Sequence, residues 1–240
     1  MTIPFTERLR PTVTLLLALL IVLVLLMPSL TSAQSAPVTP VPIPAGDALL
    51  TDDFSDPRSG WFVTANQFGR CGYDNGEYVV TVLPPSVGAN FCSLREVARD
   101  YVAEVDARLP SGGEGETVSL LARAKFLAPG QFKGYTRFAV APATGRVRMA
   151  SVLFAGRTVN VKVLAEAEDH PSVNRGSATN RLGMKVLGST FVGYVNGQEV
   201  LRAEDDSMPD GNIALEMIGP SGNSTEARFD NLVISQIGAE

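Results

Sequence analysis

From Asn180 onward the chain alternates apolar and polar residues in short runs broken by turn residues, which is the period of antiparallel strands. Asn196-Gly197 is the sharpest break. A two-residue type I′ turn needs positive φ at both central positions, and Asn-Gly tolerates this best. The pattern therefore predicts a hairpin of Phe191–Val195 with Glu199–Ala203. Upstream, 101–109 alternates cleanly, with Tyr101, Ala103, Val105, Ala107 and Leu109 on one face and Glu104, Asp106 and Arg108 on the other. Further strands are expected over 49–54, 77–83, 117–125, 134–141, 146–153 and 157–165, each bounded by Gly, Pro, Asn or Asp.

Two of these strands carry the main candidate chemistry. If the hairpin 134–153 pairs Val140 with Val147 and Phe138 with Met149, those four face the core. Tyr135, Arg137, Arg146 and Arg148 then share the opposite face, beside Arg123 if its strand is a neighbour. Planar guanidinium donors and a phenol suit hydroxyls or carboxylates. A solvated basic face offset by Glu104 and Asp106 would give the same pattern. Trp61, the one tryptophan, fits either a sugar-stacking platform or the core, and the core is the commoner place for a single Trp beside a turn.

The first 33 residues stand apart from this pattern. Arg8 and Arg10 precede an apolar run, Val13–Met27, and then small residues ending at Ala33. This is an export signal, either cleaved after Ala33 or retained as an N-terminal membrane anchor, and it places the rest outside the cytoplasmic membrane. Residues 34–46 are proline-rich and form an extended linker. Residues 47–240 are expected to form one domain. With 45% hydrophobic and 19% charged residues the chain can bury a sizeable core. A net charge of -5 offers no field for a phosphate backbone, so nucleic acid is not expected as a partner, and the membrane enters only through the N-terminal segment.

Cys71 and Cys92 are the only cysteines. In an oxidising compartment they are expected to form one disulfide, with two separate buried thiols as the alternative. They cannot fill a tetrahedral metal site alone, so no metal site or cofactor is assigned. Asp205, Asp206 and Asp210 flank a Met-Pro turn and could help ligate a structural calcium, but they match no EF-hand loop. His170, the only histidine, lies before Pro171 in a polar loop and has no nucleophile nearby in sequence. Asn223-Ser224-Thr225 has the form of a glycosylation sequon.

Several stretches carry a resemblance to a known family: Asp52–Asp56 with Gly60-Trp61, Gly76–Tyr78, Tyr101–Arg108, Asn180–Leu182, Tyr194–Gly197, Gly211–Leu215 and Phe229–Leu232. In these the region from about Ala48 to Ile237 resembles the concanavalin A-like lectin/glucanase superfamily, and within it modules of the 3-keto-disaccharide hydrolase type. The resemblance implies an all-β jelly-roll sandwich of two antiparallel sheets with adjacent first and last strands. It also implies carbohydrate binding or glycan hydrolysis on the concave sheet or its rim loops. Glu104-Val105-Asp106 resembles the start of the E-x-D-x-E signature of laminarinase-type glucanases, but Arg108 stands where the second Glu would be. No catalytic residue is carried over.

Three functions follow as expectations. One is a non-catalytic exported module that binds carbohydrate or another cell-envelope component through Tyr135, Arg137, Arg148 and Arg123. Another is a glycan hydrolase using Glu104 or Asp106. The last is a structural or protein-interaction domain. Only 7% of residues are aromatic, which disfavours a flat polysaccharide platform.

Overall fold

The alternation resolves into strands throughout. A computed structural model describes residues 43, 45–84, 88–93, 99–128, 131–156, 158–220 and 222–238. The expected signal or anchor, and all but the end of the linker, lie outside these residues. In chain order the strands are β1 (Ala45–Asp52), β2 (Thr64–Asn66), β3 (Gly69–Asp74), β4 (Glu77–Val82), β5 (Gly88–Ser93), β6 (Tyr101–Arg108), β7 (Thr117–Ala128) and β8 (Gln131–Ala141). They continue as β9 (Arg146–Ala155), β10 (Thr158–Ala167), β11 (Asn180–Leu187), β12 (Thr190–Val195), β13 (Gln198–Glu204), β14 (Asn212–Gly219) and β15 (Thr225–Ile237). Ala45 and Gly46, read from sequence as linker, belong to β1.

The strands form two antiparallel sheets. One runs β13-β12-β11-β6-β15-β4-β3-β2, and β1 also pairs with β15. The other runs β10-β9-β8-β7-β14-β5. At thirteen residues β15 is long enough to hold β4 along Thr225–Phe229 and β1 along Leu232–Ile237, so the first and last strands are neighbours. Asn196-Gly197 and Asn75-Gly76 turn their hairpins with positive φ at both residues, as the turn type requires.

Period two then sorts the side chains. From one sheet Tyr78, Val80, Ala103, Val105, Leu182 and Phe229 face Val118, Leu120, Phe138, Val140, Val147 and Met149 of the other, and together they make one core. The sheets approach closely where the Phe138 ring packs against Gly193 of β12. A Cβ at Gly193 would lie 2.6 Å from that ring, so only glycine admits it. Trp61 is buried, and its Nε1 donates 3.1 Å to Asp52 Oδ2, with Phe54 and Tyr78 packed around the indole. It is a core residue.

Candidate functional site

The outer face of the six-stranded sheet carries the polar cluster. In the register of β8 with β9, Phe138 faces Met149 and Val140 faces Val147, so Tyr135, Arg137, Arg146 and Arg148 fall together on the opposite side. Arg148 is opposite Ala139 and Arg146 opposite Ala141. Long side chains thus alternate with alanines, and the alanines leave a groove of about 230 Å³ between the guanidiniums, with Thr117 and Ile218 on its far wall.

The arginines in this groove are matched by carboxylates. Arg137 reaches over β7 to Glu216 of β14, with Nε 2.7 Å from Oε2, and Nη2 donates 2.9 Å to Oε1. The Tyr135 hydroxyl donates 3.3 Å to the same Oε1 and accepts from Arg137 Nη2 at 3.1 Å. Arg148 Nε donates 2.8 Å to Glu166 Oε2, and Arg146 lies 3.8 Å from Glu168. Burial pulls the Arg137 pKa down, but the Glu216 charge and the Tyr135 partner outweigh it and the net shift is upward. Burial also pushes the Tyr135 phenol up, helped by Glu216. Both groups therefore stay protonated at neutral pH and keep their hydrogen-bond donors.

Two buried hydroxyls on this face, Ser119 Oγ and Thr117 Oγ1, have no hydrogen-bond partner among the described residues. Arg137 Nε and Glu216 Oε2 touch as ions without hydrogen-bond alignment. The register sets Ser119 between Ala139 on β8 and Glu216 on β14, beside the groove. The arrangement is an array of fixed donors and acceptors around a floor of small side chains, suited to hydroxyl groups.

Sequence reasoning brought Tyr135, Arg137 and Arg148 to one face, and the structure does likewise. It does not bring Arg123 there. Arg123 sits at a bulge in β7 with φ +53°, which turns its side chain inward. It is 3% exposed, stacks over the Phe191 ring, donates to the carbonyl of Met208 at 3.1 Å and also bonds the Gly188 carbonyl. Glu104 and Asp106 are on the other sheet altogether, on its outer face, so they do not offset the arginines of the groove. Arg181 lies 3.5 Å from Glu104 and 3.3 Å from Asp106, and Asn231 donates 3.0 Å to Asp106.

The sequence pattern does not single out Glu216, Glu166 or Glu168. A lone acid inside the apolar run Ile213–Ile218 was the one available signal for Glu216. Asp205 accepts from Thr136 Oγ1 at 2.9 Å and from the Ser207 amide at 3.2 Å, while Asp210 pairs with Lys125. Burial raises the Asp205 carboxyl, but its hydrogen bonds from Ser207, Thr136 and Ser151 bring it below the usual carboxylate range. Among the described residues no three His, Cys, Asp or Glu side chains gather as a metal-ion site. His170 accepts from the Ser172 amide at 3.3 Å within its loop.

No protein-family model and no curated protein sequence matches the chain. Among solved structures it is similar to a carbohydrate binding module, CBM66, from Bacillus subtilis, at 19% identity and TM-score 0.57 over 74% of this chain and 96% of that one. It is also similar to the catalytic domain of an endo-1,3-β-glucanase (laminarinase) from Thermotoga petrophila, at 12% identity and TM-score 0.54 over 80% and 98%. A third is the κ-carrageenase from Pseudoalteromonas carrageenovora in complex with a κ-carrageenan oligotetrasaccharide, at 11% identity and TM-score 0.54 over 86% and 98%. At these identities the likeness is one of fold: a jelly-roll sandwich of the kind shared by carbohydrate-binding modules and glucanases.

Proposed function

We propose that the chain is an exported, non-catalytic carbohydrate-binding module and that its ligand seat is the groove around Arg137, Arg146 and Arg148. The observation that carries this reading is the pairing of each groove arginine with a glutamate along a groove floored by Ala139 and Ala141. Unpaired arginines would suit a charged or short glycan. Matched by Glu216, Glu166 and Glu168, those of the groove present donors without an excess of positive charge, which favours a short neutral glycan over a uronate or a sulfated sugar. The similar solved structures include both a carbohydrate-binding module and glycan-cleaving enzymes, and a carbohydrate ligand is the property common to both.

The non-catalytic part rests on Glu104 and Asp106. Arg181 lies beside both carboxylates and Asn231 donates to Asp106, away from the groove. A retaining glycosidase needs two carboxyl groups about 5 Å apart across the scissile bond, and the laminarinase-like second Glu is replaced by Arg108. Export by the leader, kinship with the 3-keto-disaccharide hydrolase type modules, and a Cys71–Cys92 disulfide complete the proposal.

A glycan array tests it. The purified protein should retain short neutral oligosaccharides, and Arg137→Ala with Arg148→Ala should abolish retention. Absence of binding across a broad array would sink the reading, and binding confined to anionic glycans would sink its neutral-ligand part. Oligosaccharide turnover that disappears in Glu104→Gln would make the chain an enzyme instead.

A further inference from the structure

Among the described residues the strand β10 is an edge: it pairs with β9 on one side only. Edge strands usually carry protection against pairing with another chain, such as proline, several charges or a bulge. Over Thr158–Val163 β10 has no proline and one charge, Lys162, and its register shift comes only after Val163. Val159, Val161 and Val163 are 51%, 52% and 43% exposed. They lie opposite Phe154, Val152 and Ala150 of β9, hence on the outer sheet face. Three half-exposed β-branched residues in a row on an unpaired edge are a surface made for a further strand.

The sequence of this edge complements itself. We propose that β10 pairs antiparallel with β10 of a second copy of this chain, about a two-fold axis through Val161. In that register Val159 of each copy faces Val163 of the other, Val161 faces its own mate, and Asn160 faces Lys162. All six valines fall on one face, and no like charges are opposed. Moving the axis to Lys162 would set two ammonium groups face to face, and moving it to Asn160 would cut the valine pairs from three to two and leave Val163 of each copy without a valine partner. A one-residue slip would oppose residues from opposite faces.

The result is a continuous twelve-stranded sheet, since each copy contributes six strands. The axis is perpendicular to the sheet, so both outer faces point the same way. Because β9 carries Arg146 and Arg148 and lies next to β10, both grooves open on the same face of that sheet, displaced in opposite directions along the strands from the two-fold axis. Such a pair would hold a repeating polymer by avidity without any new contact. The interface itself stands or falls independently of what the grooves bind.

Light scattering and sedimentation of the purified full-length chain test this. The expected mass is twice that of one chain, falling to one chain in Val161→Lys, with the circular dichroism of the sheet unchanged. A single-chain mass at every concentration, or a dimer that survives Val161→Lys, overturns the proposal. Independently, Val161→Cys should be bridged to its own mate by a short thiol cross-linker. Thr158→Cys should not, because six strand positions separate it from its mate, about 20 Å. Equal cross-linking of the two variants, or none at Val161→Cys, would overturn the register.

Discussion

Glu216 is fully buried on the outer face of its sheet, and its Oε2 lies 2.7 Å from Nε of Arg137, whose side chain is only 15% exposed. The pair is therefore far less screened than a surface ion pair. Removing one partner leaves the other charge without compensation, at a cost of roughly 3–5 kcal/mol. Arg137→Ala should lower the denaturant midpoint accordingly. Arg137→Met combined with Glu216→Leu should restore most of the stability and none of the glycan binding. If the single and double variants were equally unstable, the pair would not be the source of the loss.

Arg148 separates binding from folding. Its pair with Glu166 is 35% and 42% exposed, so its contribution to stability should stay below about 1 kcal/mol. Arg148→Ala should unfold at nearly the wild-type midpoint while losing about tenfold in glycan affinity, equivalent to about 1.4 kcal/mol. Calorimetric titration beside a thermal melt measures both.

Arg123 should behave in the opposite way. Its guanidinium ties the β7 bulge to the carbonyls of Gly188 and Met208, joining both sheets at one end of the sandwich. Arg123→Ala strands those acceptors and is expected to destabilise by roughly 2–3 kcal/mol. The folded fraction should keep full glycan binding, since the side chain faces away from the groove. Reduced affinity in folded protein would return Arg123 to the site.

Asp230 is opposite Asp106 in the pairing of β15 with β6. Its pKa is raised, first by burial and then by the charges of Asp106, Glu77 and Asp53, against one hydrogen bond from the Asn231 amide. A carboxyl whose folded pKa exceeds its unfolded value favours the fold while protonated, and that advantage disappears as pH rises through the raised pKa. Asp230→Asn should therefore be more stable than wild type at neutral pH, and the gap should close as pH falls below the ordinary value of 3.8. Denaturation at several pH values checks this; a gap that widens in acid would contradict it.

Cys71 is 2% exposed and faces the core from β3, in the nine-stranded sheet, whereas Cys92 belongs to β5 in the six-stranded sheet. The proposed disulfide would staple the two layers. Closing a loop of this length should contribute roughly 3 kcal/mol through the unfolded chain. Reductant or Cys71→Ser should lower the melting temperature by matching amounts, and non-reducing mass spectrometry of peptides should find the pair joined. Equal melting with and without reductant would count against it.

Much of the architecture was legible along the chain because a strand's side chains alternate with period two whatever the strand pairs with. Phe138 opposite Met149, the Asn196-Gly197 hairpin and the common face of Tyr135, Arg137 and Arg148 depend only on local alternation and turn chemistry, and all three stand in the structure. What tertiary structure alone decided was which strands are neighbours and which sheet each joins. Glu216 is 79 residues from Arg137, and no local pattern relates them. Glu104 and Asp106 went to the opposite layer for the same reason, since pairing partners are chosen by the whole topology. Arg123 faces away from the groove because one bulged residue inverts the alternation along β7. Sequence by itself determined most of the strands, the alternation of their faces outside the β7 bulge and their tight turns; the ion pairs that neutralise the groove exist only once distant strands lie side by side.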